Sequence, residues 1–392
     1  MRIYLDHNAT TPMDPRVLEA MQPWFLGHHG NPSSLHAEGR EARRAVEEAR
    51  ESVAALLGQD PRTILFTSGA TEANNTALRG LLAAGADSDA GPAHLAVSAV
   101  EHPSVLTCAE ALQREGVRVT HLTVDEDGRV HLEAVDAALA DGARVVAVMA
   151  ANNEVGTLQP WSEIADRCRA AGAALHVDAV QMIGKHPLAV PDPGAGTLSL
   201  SAHKFGGPKG AGALWIREET RLTPLLFGGG QERLRRGGTE NVVGLIGLGA
   251  AARLAAGETA SRRRRLTALE NAFLGAIRER IPDVVLHGPS GATEGGRLAG
   301  TLCLRVPGVP GEPLLMGLDL QGVAISLGSA CSSGAVEPSH VLHAMEINKV
   351  DNLESFRVSL GWEQDEATVL RAARIIADVA DRNRKPPDGL GR

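Results

Sequence analysis

The sequence predicts an α/β protein, with a large domain on a mostly parallel sheet flanked by helices and a smaller α+β domain. Three observations carry this. Short apolar runs recur through residues 16–250 and read as strands buried on both faces. Helical or loop stretches separate them, and such alternation packs helices on both sides of a parallel sheet. After about residue 250 the alternation stops, and a long helical stretch, isolated strands and a Gly/Ser-rich segment follow. The 392 residues accommodate two such units at roughly 100–200 residues per domain. The large domain is assigned to 16–250, the small one to 1–15 and 251–392.

The elements follow in order. Glu38 to Leu57 carries Ala42, Ala45, Val46, Ala49, Val53, Leu56 and Leu57 at helical spacing and stops at Gly58. Predicted strands are Thr63–Thr67, Leu95–Val97, Val117–Val119, Val145–Val148, Leu175–Val177, Leu198–Leu200 and Ala213–Ile216. A helix is expected over 246–281, with Arg262 to Arg265 as a solvated face. Strands at Thr301–Val306 and Ser355–Leu360 and a helix at Glu366–Asp381 complete the small domain, before a short frayed tail.

Composition narrows the function classes. Hydrophobic residues at 43% against 22% charged exclude whole-chain disorder, collagen and coiled coil. No stretch approaches the roughly 20 unbroken apolar residues of a membrane helix. The N-terminus shows no apolar signal-peptide core. A net charge of −8 argues against nucleic acid as the main partner. Cysteines at 108, 168, 303 and 331 form no C-x-x-C pair and no disulfide scaffold, so a reducing, cytoplasmic setting is expected.

In a doubly wound sheet, ligands bind beyond the carboxyl ends of the strands. Three strand ends carry chemistry. Thr67 runs into Ser68-Gly69-Ala70-Thr71, small residues whose backbone N–H groups open a helix and suit an anion; ordinary strand–helix turns look the same. Val177 runs into Asp178, an acid that needs a cationic partner such as a protonated pyridine, though an N-capping Asp reads equally well. Leu200 runs into Ser201-Ala202-His203-Lys204, followed by glycines. A desolvated lysine there can form a Schiff base. Phosphate on Thr71, Ser201 and His203, ring nitrogen on Asp178 and aldehyde on Lys204 together fit pyridoxal 5′-phosphate (PLP).

These segments have ordered companions. They include Tyr4 to Thr11, Gly30 to His36, Glu101-His102-Pro103-Ser104-Val105, Asn152 to Thr157, Arg236 to Asn241, Ser329 to Gly334, Glu337 to Leu342 and Arg357 to Gly361. With them the chain resembles the NifS/IscS type of cysteine desulfurase, in the class V aminotransferase group of fold type I PLP enzymes. The resemblance runs nearly end to end.

That resemblance implies roles. Lys204 would hold the cofactor as a Schiff base, Asp178 would keep the ring nitrogen protonated, and Gln181 would hydrogen-bond the phenolic oxygen. His102 would stack on the ring. Gly69, Ala70, Thr71, Ser201 and His203 would hold the phosphate, with Thr239 reaching it from the partner subunit of a homodimer. Asn153 and Arg357 would hold the carboxylate of L-cysteine, as a guanidinium fork suits. Cys331 decides the reaction. Cys108, Cys168 and Cys303 fall on apolar patterns and read as inert core thiols. Cys331 sits among Gly, Ser and Ala, where a thiolate could take the substrate sulfur as a persulfide, release L-alanine, and pass the sulfur to an acceptor protein. The acceptor would serve iron–sulfur cluster assembly or thiolation. No resident metal is expected; Cys331 could be a transient iron–sulfur ligand with a partner. Alternatives are a selenocysteine lyase or an aminotransferase of the same group, or an inactive sulfur carrier. Four positions depart from the family pattern: His7 for Asn, Glu346 for Gly, Val358 for Phe, and Trp362 for a polar residue, the last two expected to alter the pocket rim near Arg357.

Overall fold

The computed structural model describes residues 2–84, 93–188, 196–291, 296–328 and 337–384. The chain begins with strand β1 (Ile3–Tyr4), helices α1 (Pro15–Leu26) and α2 (Ala37–Leu57), strand β2 (Ile64–Thr67) and helix α3 (Ala70–Ala84). Then β3 (His94–Ser98), α4 (Pro103–Arg114), β4 (Arg118–Leu122), α5 (Leu132–Ala140), β5 (Val145–Met149) and α6 (Trp161–Ala170) alternate. Strands β6 (Ala174–Asp178), β7 (Thr197–Ser201) and β8 (Gly212–Ile216) precede the long α7 (Val242–Arg280). The remainder is β9 (Val285–His287), β10 (Thr301–Arg305), α8 (Gly311–Leu320), β11 (Val323–Ala324), α9 (His340–Ala344), α10 (Lys349–Leu353), β12 (Ser355–Ser359) and α11 (Glu366–Asn383).

Each apolar run expected before residue 250 is a strand of one seven-stranded sheet, in order β2-β8-β7-β6-β5-β3-β4. Five of these strands, β3 to β7, pair in parallel, and β8 runs antiparallel to both β2 and β7. The carboxyl ends of β2, β3, β5, β6 and β7 therefore lie along one edge. Strands β5 and β8 are buried throughout, as their continuous apolar runs require, and β7 is buried throughout although Thr197, Ser199 and Ser201 alternate with its leucines.

Local chemistry sets the helix ends. His36 caps α2 by accepting from Gly39 N–H, and Gly58 ends it in the left-handed conformation at φ 67°. His102 caps α4, with Pro103 at its first position.

The two largest apolar clusters among the described residues divide the core. One packs the seven-stranded sheet against its helices. The other joins β1, β10 and β12 to α8, α11 and the second half of α7. Helix α7 serves both, through Leu245, Leu248 and Ala251 in the first and Leu266, Phe273 and Ile277 in the second. Its first half is apolar and long enough to cross a membrane, alone among the described helices. Here it is an interior segment against α1 and α2. Gly249 makes this possible, since a Cβ there would sit 2.7 Å from Ala49 Cα.

One expectation fails inside α7. Arg262 is not on a solvated face: it is 4% exposed, ion-paired to Glu258 and stacked 4.4 Å from the Trp362 ring centre. Arg264 and Arg265 are exposed. Helical spacing explains the split, because 100° per residue sweeps a run of four across both faces.

The small sheet, β12-β10-β9, is antiparallel. Val358 is fully buried in its core and Trp362 covers Arg262, so neither lines the cleft described below.

Candidate active site

A cleft of about 610 Å³ opens at the carboxyl edge of the large sheet. Gly69, Ala70, Thr71, His102, Asn153, Asp178, Gln181, Ser201, His203 and Lys204 all line it. These residues come from five separate stretches of chain that the parallel topology brings to one edge.

At one end of the cleft, β2 turns through Ser68 and Gly69 into α3. Gly212 of β8 lets this turn approach, because a Cβ there would lie 2.6 Å from Gly69 Cα. The first-turn N–H groups of α3 have no helical partners and open onto the cleft, an arrangement that suits an anion. Thr71 is exposed beside them, and Ser201 and His203 line the same cleft. Glu72 steadies the turn, accepting from Ser68 N–H at 2.8 Å and pairing with Arg236 at 2.9 Å. Burial alone would raise the Glu72 carboxyl, but Arg236 and Ser68 outweigh it and hold it low.

At the other end stands Asp178, the last residue of β6. Both carboxylate oxygens have donors: Asn74 Nδ2 at 2.8 Å and Val180 N–H at 3.0 Å. Asn74 is itself oriented. Its amide oxygen meets His176 Nε2 at 3.0 Å, and His176 Nδ1 meets the Thr197 hydroxyl at 2.9 Å. Burial pushes His176 down to about 4, so the ring is neutral. Since Asn74 gives its N–H to Asp178, His176 must donate from Nε2 and accept from Thr197. The chain of bonds fixes Asp178 as an acceptor-rich carboxylate on the cleft wall.

His102 presents its ring to the cleft. Its Nδ1 accepts from Ser104 N–H at 3.1 Å, which leaves the proton on Nε2. Burial, and to a smaller degree the neighbouring Lys204 and His340, lowers its basicity against the opposing Asp178 charge.

Lys204 closes the short 3-10 turn after β7. Its Nζ donates to Asn8 O at 2.5 Å and Ala9 O at 3.1 Å. Burial and the Arg357 charge bring it down to about 8, against the pull of Asp178 and Asp6. A lysine so placed carries a sizeable neutral fraction near physiological pH and can act as a nucleophile. Burial, with Lys204 and Lys209, also pushes His203 down to about 4.

Arg357, at the centre of β12, is held differently from its neighbours. Its Nη2 pairs with Asp6 at 2.7 Å and its Nη1 donates to Asn153 O at 3.1 Å. Its buried Nε has no hydrogen-bond partner, and Arg357 is not among the cleft-lining residues. Thr239 is exposed and also does not line its own chain's cleft. Cys331 lies outside the described residues. The other three cysteines are buried, and burial raises each thiol, Cys168 to about 12. That matches their reading as inert.

Several site residues escaped the sequence reading. Asn74 and His176 sit inside recognised motifs without an assigned role. Their signal was the spacing: Asn74 is four residues after Ala70 and so shares its helix face. Glu101 was read only as part of the His102 motif. It is 1% exposed and accepts from Met149 N–H at 2.6 Å. Burial and the nearby Asp178 push its carboxyl well up, which favours the neutral acid. Asn8, Asp6 and Lys185 meet the site only through the fold.

The chain matches the family described as Aminotransferase class-V over residues 3–371. It is 44% identical to the cysteine desulfurase IscS of Dictyoglomus turgidum, over 92% of this chain and 89% of that one. Among solved structures it resembles a NifS-like protein at TM-score 0.89 and 33% identity, over 97% of this chain and 100% of the other. It also resembles SspA in complex with cysteine at TM-score 0.78 and 32% identity, over 93% and 100%. A full-length match of this depth, with the cleft assembled at the expected strand ends, means that the chain belongs to the class V aminotransferases, a PLP-using family, and within them to the cysteine desulfurases of the IscS/NifS type.

Proposed function

We propose that this protein removes sulfur from L-cysteine with the help of PLP, giving L-alanine and a persulfide on Cys331 that passes to an acceptor protein. The observation that carries the reading is the convergence of Lys204, Asp178, Gln181 and His102 on one cleft in a member of this family.

The residues fit PLP. Helix α3 opens onto the cleft with free N–H groups and no intruding side chain at Gly69, suiting a phosphate near Thr71, Ser201 and His203. Asp178, fully ligated by donors, would favour a proton on a pyridine nitrogen. Lys204 offers an amine with lowered basicity for the aldehyde. When bound, PLP supplies an electron sink for the bonds around the substrate Cα.

The chain's own groups do the rest. Lys204 would accept the Cα proton of L-cysteine once released from the cofactor. His102 would lie over the ring face, its Nε2–H available for proton transfer. Asn153 and Arg357 would hold the substrate carboxylate, which requires Arg357 to share or exchange its bond to Asp6. The Cys331 thiolate would attack the substrate sulfur. The sulfur–sulfur bond forms as the carbon–sulfur bond breaks; the electron pair stays on the carbon fragment, which is protonated to alanine. One cysteine and one thiol thus become one alanine and one persulfide, with no external oxidant.

The proposal extends to the assembly. Thr239 is exposed and absent from its own cleft, so it is assigned to the partner's phosphate site in a homodimer. Exposed Phe25, Leu26, Leu35, Phe227 and Leu234 supply apolar surface for that contact. Residues 16–250 would form the cofactor-holding domain, and 1–15 with 251–392 the domain carrying Cys331. The acceptor would serve iron–sulfur assembly or thiolation in a cytoplasmic setting.

The deciding experiment compares wild type with Cys331→Ala, both loaded with PLP and given L-cysteine and a reductant. Wild type should form alanine and sulfide in equal amounts. The variant should keep the visible spectrum and lose both products; retained turnover would overturn the persulfide step.

A further inference from the structure

Lys185 has no role in the reaction described so far, yet it lies at the centre of the site's hydrogen-bond network. It is 2% exposed, four residues after Gln181 in the turn that follows β6. Its Nζ donates to Asn8 Oδ1 at 2.8 Å and to Gln181 Oε1 at 3.1 Å. A buried lysine is costly, so a stretch that could carry an apolar residue here carries a specific donor instead.

The donor has a geometric consequence. Nζ is the donor in both bonds, so each amide turns its oxygen toward Lys185. Gln181 is then left with its Nε2 on the other side. One of its two N–H bonds goes to Asn8 O at 2.9 Å. The second remains, on a residue that lines the cleft. Asn8 is fixed in the same way: its Nδ2 donates to Asn153 O at 3.1 Å and Thr301 Oγ1 at 3.0 Å. The Asn8 backbone carbonyl also receives Lys204 Nζ. A free Gln181 amide could flip and present an oxygen to the cleft, which would repel a phenolate.

We propose that Lys185 is a positioning residue that locks the Gln181 and Asn8 amides, so that a Gln181 N–H faces the phenolic oxygen of the bound cofactor. The inference rests on the reading that PLP is held on Lys204. The charges around Lys185 support it as a local centre of adjustment. Burial, Lys204 and Arg357 bring Lys185 down to about 7, and Lys185 in turn helps burial hold His7 at about 4. The lysine-bound cofactor would titrate among Lys185, Arg357, Asp178, Asp6, His102 and His203.

The test is a pH titration of visible absorbance on the full chain loaded with PLP. Losing the Gln181 donor leaves the phenolate more basic; losing Lys185 frees that donor and, to a smaller degree, relieves repulsion of the protonated imine. Both changes raise the midpoint. Gln181→Ala and Lys185→Met should each raise it by roughly half a unit to one unit, the scale of one lost hydrogen bond. In the Gln181→Ala background, Lys185→Met should add less than half its own single shift. Additive shifts, or no shift from Lys185→Met, would overturn the proposal. If Gln181→Ala itself leaves the midpoint unmoved, the assignment of Gln181 to the cofactor fails instead. Gln181→Glu provides a second measurement that leaves Lys185 in place. Its carboxylate should pair with Lys185, giving a melting temperature no lower than that of Gln181→Ala; a lower one, the mark of an unpaired buried charge, would also overturn the lock.

Discussion

Asn74 donates to the Asp178 carboxylate at 2.8 Å, across 104 residues of sequence. His176 and Thr197 hold Asn74 in the orientation that makes this possible. The carboxylate on the cleft wall is thus aimed by a relay through helix α3, its own strand β6 and the neighbouring β7, not by its own turn alone.

Asn74→Leu should therefore impair catalysis without unfolding the sheet. It removes one hydrogen bond to a charged group, about 1.5–3 kcal/mol, so the turnover of L-cysteine should fall roughly ten- to hundredfold. Steady-state alanine formation measures it. A change of less than threefold would mean that Val180 N–H orients Asp178 unaided.

The Lys204 amine should report its burial directly. An amine at about 8 rather than 10.5 is in its free-base form above that lower value. The rate at which cofactor-free protein captures PLP should rise as pH increases and level off above about 8. A rise continuing toward 10.5 would place the amine in an ordinary aqueous setting. Stopped-flow absorbance gives the profile.

Glu346 takes the left-handed conformation, φ 62°. A non-glycine residue pays for that geometry, so Glu346→Gly should stabilise the protein by about 1 kcal/mol. Thermal unfolding should show a higher Tm with unchanged activity.

The arginine run of α7 should separate by face. Arg262 lies buried over Trp362 and pairs with Glu258, so Arg262→Ala should cost about 2 kcal/mol through lost packing and cation–π contact. Arg264 is exposed, and Arg264→Ala should stay within about 0.5 kcal/mol. Denaturant unfolding of the two variants distinguishes them.

The sequence by itself determined the large sheet and much of its cleft. Central strands buried on both faces are largely apolar, so most strands of the large sheet announced themselves as runs such as Val145–Met149, while edge strand β4 is partly exposed. Parallel topology then requires the polar residues just past those runs to share one edge, which is why Thr71, Asp178 and Lys204 could be grouped before any coordinates. Tertiary structure alone decided the contacts that periodicity does not encode. Whether Arg262 faces solvent or Trp362 depends on where α7 crosses α11 and the 360–363 turn. Asn8 reaches Lys185 and Gln181 because β1 and the residues after it fold back over the cleft, a meeting of segments more than 170 residues apart. Arg357 is bound to Asp6 rather than facing the cleft for the same reason. Side-chain pattern records which face of an element is buried; it carries no record of which distant donor or acceptor waits there.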